Sequence, residues 1–227
     1  MSALLSKLFE PGPIGKMELK NRIIMASIST NLTGADGEIT EELIAHYAER
    51  AEGGVGLVTV ENVCIDYPLG RHGAAQPRID EDRFISSLQR LADAVHESGA
   101  LTAVELTHPG MSADLRFTEG KSPVAPSAVP RPKDGLCPRA LSQKEVMEIA
   151  NKYMQAARRA WEAGFDAVEL QACHGLLINQ FLSPLSNKRQ DEYGGSKENR
   201  LRFLLEILVG IKSHLGFDFS GHGTPGS

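Results

Sequence analysis

The sequence contains few cysteines and no apolar run long enough to cross a membrane. Its three cysteines, Cys64, Cys137 and Cys173, are odd in number and show no C-x-x-C spacing. This pattern argues against a disulfide framework or a zinc site and predicts reduced thiols. The first residues lack a basic segment followed by an apolar stretch, and no apolar run approaches the ~20 residues of a membrane span. The sequence therefore predicts a cytoplasmic protein without metal or membrane as partners.

A charged surface of one sign is also missing. The net charge is −5, and 24 basic residues are interspersed among 29 acidic ones. Because nucleic-acid binding needs a basic face, nucleic acid is not an expected partner. The 227 residues, 41% of them apolar, suffice for one sizeable core and are too few for two comfortable domains.

Short apolar runs alternate with longer amphipathic segments, four times in succession. Thr40 and Ser142 are candidate N-caps of two of the helices, and Ser142 forms a capping box with Glu145. The strands lack polar alternation and are expected to be buried on both faces, as parallel strands are. The predicted strands are 22–26, 55–60, 101–106 and 167–171, and the predicted helices are 41–53, 80–98, 142–163 and 198–215.

Two architectures fit such βα units, a TIM (β/α)8 barrel and a doubly wound sheet. The first strand is not followed by a GxGxxG segment, which disfavours the doubly wound sheet. A barrel has eight strands, but four units already extend to about residue 215. We therefore expect a partial barrel domain over 1–219, whose fifth strand begins at Phe217–Phe219, and a linker-like or scar tail at 220–227. The Pro-rich segment Thr107–Leu141 is predicted to be a long functional loop.

Polar residues collect where each predicted strand ends, which is where barrel enzymes carry their catalytic groups. Gln171 and His174 are hydrogen-bond donors three residues apart, a spacing that lets both point at one anionic or carbonyl oxygen. The polar residues at the four ends are Ser27, Ser29 and Thr30, then Glu61 and Asn62, then Glu105, Thr107 and His108, then Gln171, Cys173 and His174.

Several of these residues have a second interpretation. His174 also fits a structural, hydrogen-bonded histidine, and His108 fits a loop anchor. Glu105 fits either a buried ion pair or a group that bonds a ring N–H. Cys173 beside His174 suggests a Cys–His nucleophile, which is disfavoured because neighbours on an extended segment point in opposite directions. The charged run 188–192 is predicted to be a solvated, salt-bridged segment.

The chain as a whole also resembles the Old Yellow Enzyme family of flavin oxidoreductases. The resemblance includes the family's larger relatives, 2,4-dienoyl-CoA reductase, bile-acid-modifying flavin oxidoreductases and trimethylamine dehydrogenase, and it extends from about residue 8 to 219. The motifs that carry it are His174–Pro184, Asn187–Arg189, Asp191–Ser196 and Glu198–Phe203, supported by Leu19–Ile23, Tyr47–Ala51, His108–Gly110 and Ala125–Ser127.

The resemblance implies an FMN bound without a covalent link at the carboxyl ends of the strands, with NAD(P)H as the hydride donor. Ala26, Ser27 and Ser29 would line the flavin, and Asn62 would approach it. Glu105 stands where the family has a glutamine that bonds the flavin pyrimidine. The resemblance further implies that Gln171 and His174 bind and polarise a carbonyl oxygen of the substrate.

The sequence departs from the family at three of these positions. Glu105 replaces the glutamine, and a charge there should hinder flavin reduction unless the carboxyl is protonated or paired. Gln171 replaces a histidine and keeps a donor without its acid–base range. Leu176 replaces the tyrosine that protonates the substrate in ene-reductases. A fifth-strand arginine, the phosphate site after strands seven and eight, and the later domains of larger relatives have no counterpart here.

Two hypotheses of function follow. In the first, the chain is part of an enzyme that reduces an activated C=C bond of an enone or enoyl substrate. In the second, it is a catalytically inert half-barrel that forms a homo-oligomer or needs a complementary barrel half, because open strand edges and an apolar interior need cover. A lyase or aldolase would need a lysine or metal cluster at the strand ends, and the sequence offers neither there.

Overall fold

The structure is a computed structural model, in which residues 3–215 are described. The expected fifth strand at Phe217–Phe219 and the expected tail lie outside the described residues. The helices are α1 (Ala3–Ser6), α2 (Glu41–Glu52), α3 (Ile85–Glu97), α4 (Gln143–Glu162), α5 (Leu177–Leu182) and α6 (Lys197–His214). The strands are β1 (Gly12–Ile14), β2 (Met17–Leu19), β3 (Ile24–Met25), β4 (Leu57–Cys64), β5 (Leu101–Thr107), β6 (Val124–Ala125), β7 (Arg139–Ala140) and β8 (Ala167–Leu170).

Four parallel strands form the main sheet, in the order β3-β4-β5-β8. Because sequential strands are neighbours and each is followed by a helix, the chain advances around the sheet in one direction, as in a barrel. The antiparallel hairpin β1–β2 precedes the sheet. Its Leu19 packs against Leu57 and Ala103, so the hairpin covers part of the sheet near the beginnings of β4 and β5.

The core lies between the sheet and α2, α3, α4 and α6. Phe84, Tyr153, Phe181 and Phe203 are fully buried in it, and the rings of Phe181 and Phe203 lie 4.4 Å apart between centroids. The Thr40 and Ser142 caps are confirmed: each side chain accepts from the third residue beyond it, and Glu145 completes the predicted capping box.

Several element predictions were wrong. The strand predicted at 22–26 is β3 and is limited to Ile24–Met25. The helix predicted at 80–98 is α3 and begins only after a 3₁₀ turn at Asp82–Phe84. Burial on both faces holds for β4 and β5, whereas β3 and β8 are partly exposed because they are the edges of the described sheet. The hairpin, α5 and the β6–β7 pair within the long loop were not predicted. Within 3–215, every helix is too short or too polar to cross a bilayer.

Candidate functional site

The segment after β3 contributes three of the predicted flavin-lining residues. Ala26 and Ser29 are exposed and Ser27 is half-buried. Ser27 Oγ donates to Glu105 Oε2 at 2.7 Å, and Asn62 Nδ2 donates to Ser29 Oγ at 2.7 Å. Four of the five residues predicted for the cofactor therefore form two hydrogen-bonded pairs.

A bulge in β4 changes the direction of the side chains of Glu61 and Asn62. The strand runs four residues further than predicted, so Glu61 and Asn62 lie within it and not after its end. The register with β5 shifts between Val60 and Val63, and such a bulge re-aims the side chains it carries.

Glu61 holds the segment after β3 in place through hydrogen bonds to Thr30, a role that was not predicted from the sequence. It is 1% exposed, and its carboxylate accepts from the backbone N–H of Thr30 at 2.8 Å and from the Thr30 hydroxyl at 3.1 Å. The Tyr47 hydroxyl donates to Glu61 Oε2 at 3.2 Å and accepts from the Glu61 N–H at 2.9 Å. Burial raises the pKa of Glu61, and the Thr30 and Tyr47 bonds oppose the rise.

Glu105 is a buried carboxyl at the carboxyl-terminal half of β5. It is 5% exposed and stands opposite Glu169 in the register with β8. Burial raises its pKa above the ordinary range, and the Glu169 carboxylate adds to the rise, whereas the Ser27 hydrogen bond and His174 oppose it. Of the sequence alternatives, the buried ion pair is wrong within the described residues, since no Lys or Arg pairs with Glu105 there.

Gln171 follows β8 directly, and its backbone N–H continues the ladder by donating to Leu106 O at 3.2 Å. Its side-chain Oε1 accepts from the Thr107 hydroxyl at 2.6 Å. This bond leaves the amide –NH₂ of Gln171 directed away from Thr107, since the oxygen and nitrogen lie on opposite sides of the amide.

His174 lies at the turn after β8 with φ +57°, a left-handed conformation that is uncommon for a residue with a side chain. The side chain is exposed, and its Nδ1 lies 3.5 Å from Cys173 Sγ. These two side chains therefore do not point apart as predicted, because the segment is a turn and not an extended strand. When Nδ1 accepts from the thiol, Nε2 carries the proton and is a donor.

His108 anchors the loop after β5, one of its two predicted interpretations. It is fully buried; its Nδ1 accepts from the Gly110 N–H at 3.0 Å and its carbonyl accepts from the Leu177 N–H at 3.0 Å. Its Nε2 lies 3.4 Å from Asp66 Oδ2, and Lys152 forms an ion pair with the other carboxylate oxygen, Asp66 Oδ1. Burial would raise the Asp66 pKa, but these two neighbours hold it below its ordinary value.

The charged run 188–192 is salt-bridged and mostly exposed, as predicted, and Arg189 is its one strongly buried side chain. The Arg189 side chain is only 8% exposed and forms an ion pair with Asp191. Its guanidinium also donates to the carbonyls of Pro126 and Leu141, so it fastens the long loop to this segment. Among residues 3–215, no group of three or more His, Cys, Asp or Glu side chains is arranged to hold a metal ion.

Four sequential parallel strands with polar groups gathered at their carboxyl ends are the arrangement found in part of a TIM barrel. The sequence model of the family described as "NADH:flavin oxidoreductase / NADH oxidase family" matches residues 7–222. The chain therefore belongs to this family. The resemblance to Old Yellow Enzymes and the barrel-type fold are confirmed, and the family implies flavin and nicotinamide cofactors.

Individual relatives agree with this assignment and are longer than the chain. An NADH oxidase of Thermoanaerobacter brockii is 46% identical over 212 residues, 93% of this chain and 33% of that protein. The structure of morphinone reductase in complex with tetrahydroNAD has a TM-score of 0.84 at 36% identity and covers 91% of this chain and 60% of that one. For an Old Yellow Enzyme from Pichia sp. the values are 0.86 and 31%, covering 93% and 57%. The chain thus spans between a third and three fifths of these relatives.

Proposed function

We propose that the chain is the FMN-binding part of an NAD(P)H-dependent oxidoreductase that reduces an activated C=C bond of an enone or enoyl substrate. One observation carries the proposal. Gln171 and His174, two side chains with donor groups, follow β8 beside a buried carboxyl, Glu105, whose Oε1 accepts no hydrogen bond from the described residues. Membership of the flavin oxidoreductase family supports the choice of reaction.

The polar groups of the site match the edge of a flavin pyrimidine, which presents one N–H between two carbonyl oxygens. A carboxyl that carries a proton offers both a donor and an acceptor, and burial favours that form of Glu105. Ser27, Ser29 and Asn62 add hydroxyl and amide groups, and Ala26 adds an exposed apolar contact. When bound, FMN would carry the hydride from the nicotinamide to the substrate.

The substrate side is assigned to Gln171 and His174. Their N–H groups would donate to the carbonyl oxygen of the substrate and withdraw electrons from the conjugated C=C bond. Leu176 is 8% exposed and its hydrocarbon side chain has no proton to give. The proton that completes the reduction would therefore come from solvent, which reaches exposed His174 and Cys173.

The test is a titration of the chain with FMN followed by turnover of cyclohex-2-enone with NADH and NADPH. Removing one preorganised donor typically costs about 10²–10³-fold in rate, so Gln171→Ala and His174→Ala should each lose about that much. Gln89→Ala, at an exposed glutamine of α3, is the matched control and should turn over normally. Unchanged rates in both donor variants would refute the assignment.

A second candidate function, association with another barrel half or another copy, rests on an apolar groove of about 650 Å³ between α4 and α6. Met147, Leu205 and Val209, all more than half exposed, line this groove, which lies away from the strand ends. Light scattering should show a mass above the monomer, and Val209→Glu should reduce it. Leu115→Glu, at an exposed leucine of the long loop, is the control. A monomeric wild-type chain would exclude self-association.

A further inference from the structure

Thr107 lies behind the proposed substrate site and has no part in the function proposed above. It is the last residue of β5, it is fully buried, and it stands opposite Cys64 in the register with β4. Its hydroxyl lies 2.6 Å from Gln171 Oε1 and has no other hydrogen-bond partner among residues 3–215. Within the described part of the chain, the one hydrogen bond of this buried hydroxyl is therefore with a proposed catalytic residue.

The contact has a defined direction. A buried hydroxyl needs an acceptor for its proton, and the Thr107 hydroxyl donates to the Gln171 amide oxygen. If the amide turned over, its –NH₂ would face Thr107 and the hydroxyl proton would lose this acceptor. Gln171 Nε2 makes no hydrogen bond with the described residues and is not among their buried, unpaired polar atoms, so it stays open to solvent.

We propose that Thr107 is a positioning residue that holds the Gln171 amide with its –NH₂ group presented to the substrate oxygen. A glutamine is both donor and acceptor, and without a fixed partner it can present either group. The Thr107 bond removes this ambiguity and makes position 171 a donor only, which selects substrates that present an acceptor such as a carbonyl oxygen. The inference rests on the proposed function for the identity of that oxygen.

Whether the Gln171 side-chain amide is held in place can be measured without cofactor or substrate, by its ¹⁵N relaxation in the isolated chain. Gln171→Leu identifies the signal by its loss. The wild-type amide should be ordered, Thr107→Val should lose that order, and Thr107→Ser should restore it. Thr102→Val is the matched control: Thr102 is also fully buried on β5, but its hydroxyl donates to Val58 O. An amide equally ordered in Thr107→Val and wild type would overturn the proposal.

The functional consequence is read on the FMN-loaded chain with cyclohex-2-enone. Thr107→Val should lower kcat/KM about tenfold, less than the ~10²–10³-fold expected when a donor is deleted. Thr107→Ser and Thr102→Val should stay near wild type, and FMN affinity should not change. An unchanged kcat/KM in Thr107→Val would refute the role in the reaction. A wild-type chain that binds FMN but does not reduce the enone would refute the proposed function, while the relaxation data would still decide the orienting role.

Discussion

Replacing Tyr47 by phenylalanine tests whether the hydrogen bonds between Tyr47 and Glu61, which support the segment after β3, stabilise the fold. The change removes the acceptor of the Glu61 N–H, at 2.9 Å, and a donor to the Glu61 carboxylate, at 3.2 Å. Tyr47 is 0% exposed, so water cannot replace these bonds without rearrangement. A buried N–H left unpaired costs about 1–3 kcal/mol, and the lost donor adds to this, so we expect about 2–4 kcal/mol of destabilisation. Since the ring is kept, no cavity contributes.

Tyr153→Phe is the matched control, because Tyr153 is equally buried but its hydroxyl has no hydrogen-bond partner within residues 3–215. Removing that hydroxyl should be neutral or slightly stabilising. Urea unfolding followed by circular dichroism measures both variants. In thermal unfolding, about 3 kcal/mol corresponds to a fall of roughly 6–12 °C for a chain of this size. The reasoning is refuted if Tyr47→Phe changes stability by less than about 0.5 kcal/mol, or if Tyr153→Phe costs as much as Tyr47→Phe.

Further predictions concern the site and its supports. Burial raises the pKa of Glu105 in the folded state, so the stability of wild type should fall as the pH rises from the ordinary carboxyl range through that raised pKa. Glu105→Gln has no titrating group at this position and should lack this fall. Its urea midpoint should therefore exceed that of wild type at pH 7 but not at pH 4. Gly110 has φ +60° and an added Cβ would collide with Gln180 Oε1, so Gly110→Ala should lose about 3 kcal/mol or more; Gly175→Ala, at φ +70° with open space, should lose only about 1–2 kcal/mol in the same assay. Ser142→Ala removes the capping box of α4 and should lower the free energy of unfolding by about 1 kcal/mol. A change below measurement error would show that the cap does not contribute to stability.

Local chemistry made much of the fold predictable. The caps at Thr40 and Ser142 follow from the residue types that can bond free N–H groups at a helix start, and both are confirmed. The features that could not be predicted from the sequence depend on tertiary contacts. Strand β4 continues to Cys64 because a bulge keeps it paired with β5 past Glu61 and Asn62, and such a shift leaves no periodic signal. The short α5 went unrecognised because its six residues are too few to show a helical period and four of them are buried.

The candidate site shows the same division. Positions at strand ends were predictable because parallel strands end on one edge, and Gln171 and His174 stand there as expected. Their partners were not predictable: Thr107 and Gln171 are 64 residues apart in sequence, and Ser27 and Glu105 are 78 apart. No local pattern reports such pairs. The catalytic and cofactor roles of these residues remain predictions.

The pairs reveal which strand holds the site together. Ser27 follows β3, yet it bonds Glu105 on β5, so the segment after β3 reaches past the intervening β4. From the same strand, Thr107 bonds Gln171 beyond β8. Glu105 and Thr107 are two residues apart and therefore face the same side of β5. The proposed flavin side and the proposed substrate side are thus fixed to one buried strand, so a displacement of β5 would disturb both. The buried side chains Glu105 and Thr107, more than the exposed donors, should therefore determine whether the two proposed sides keep their relative positions.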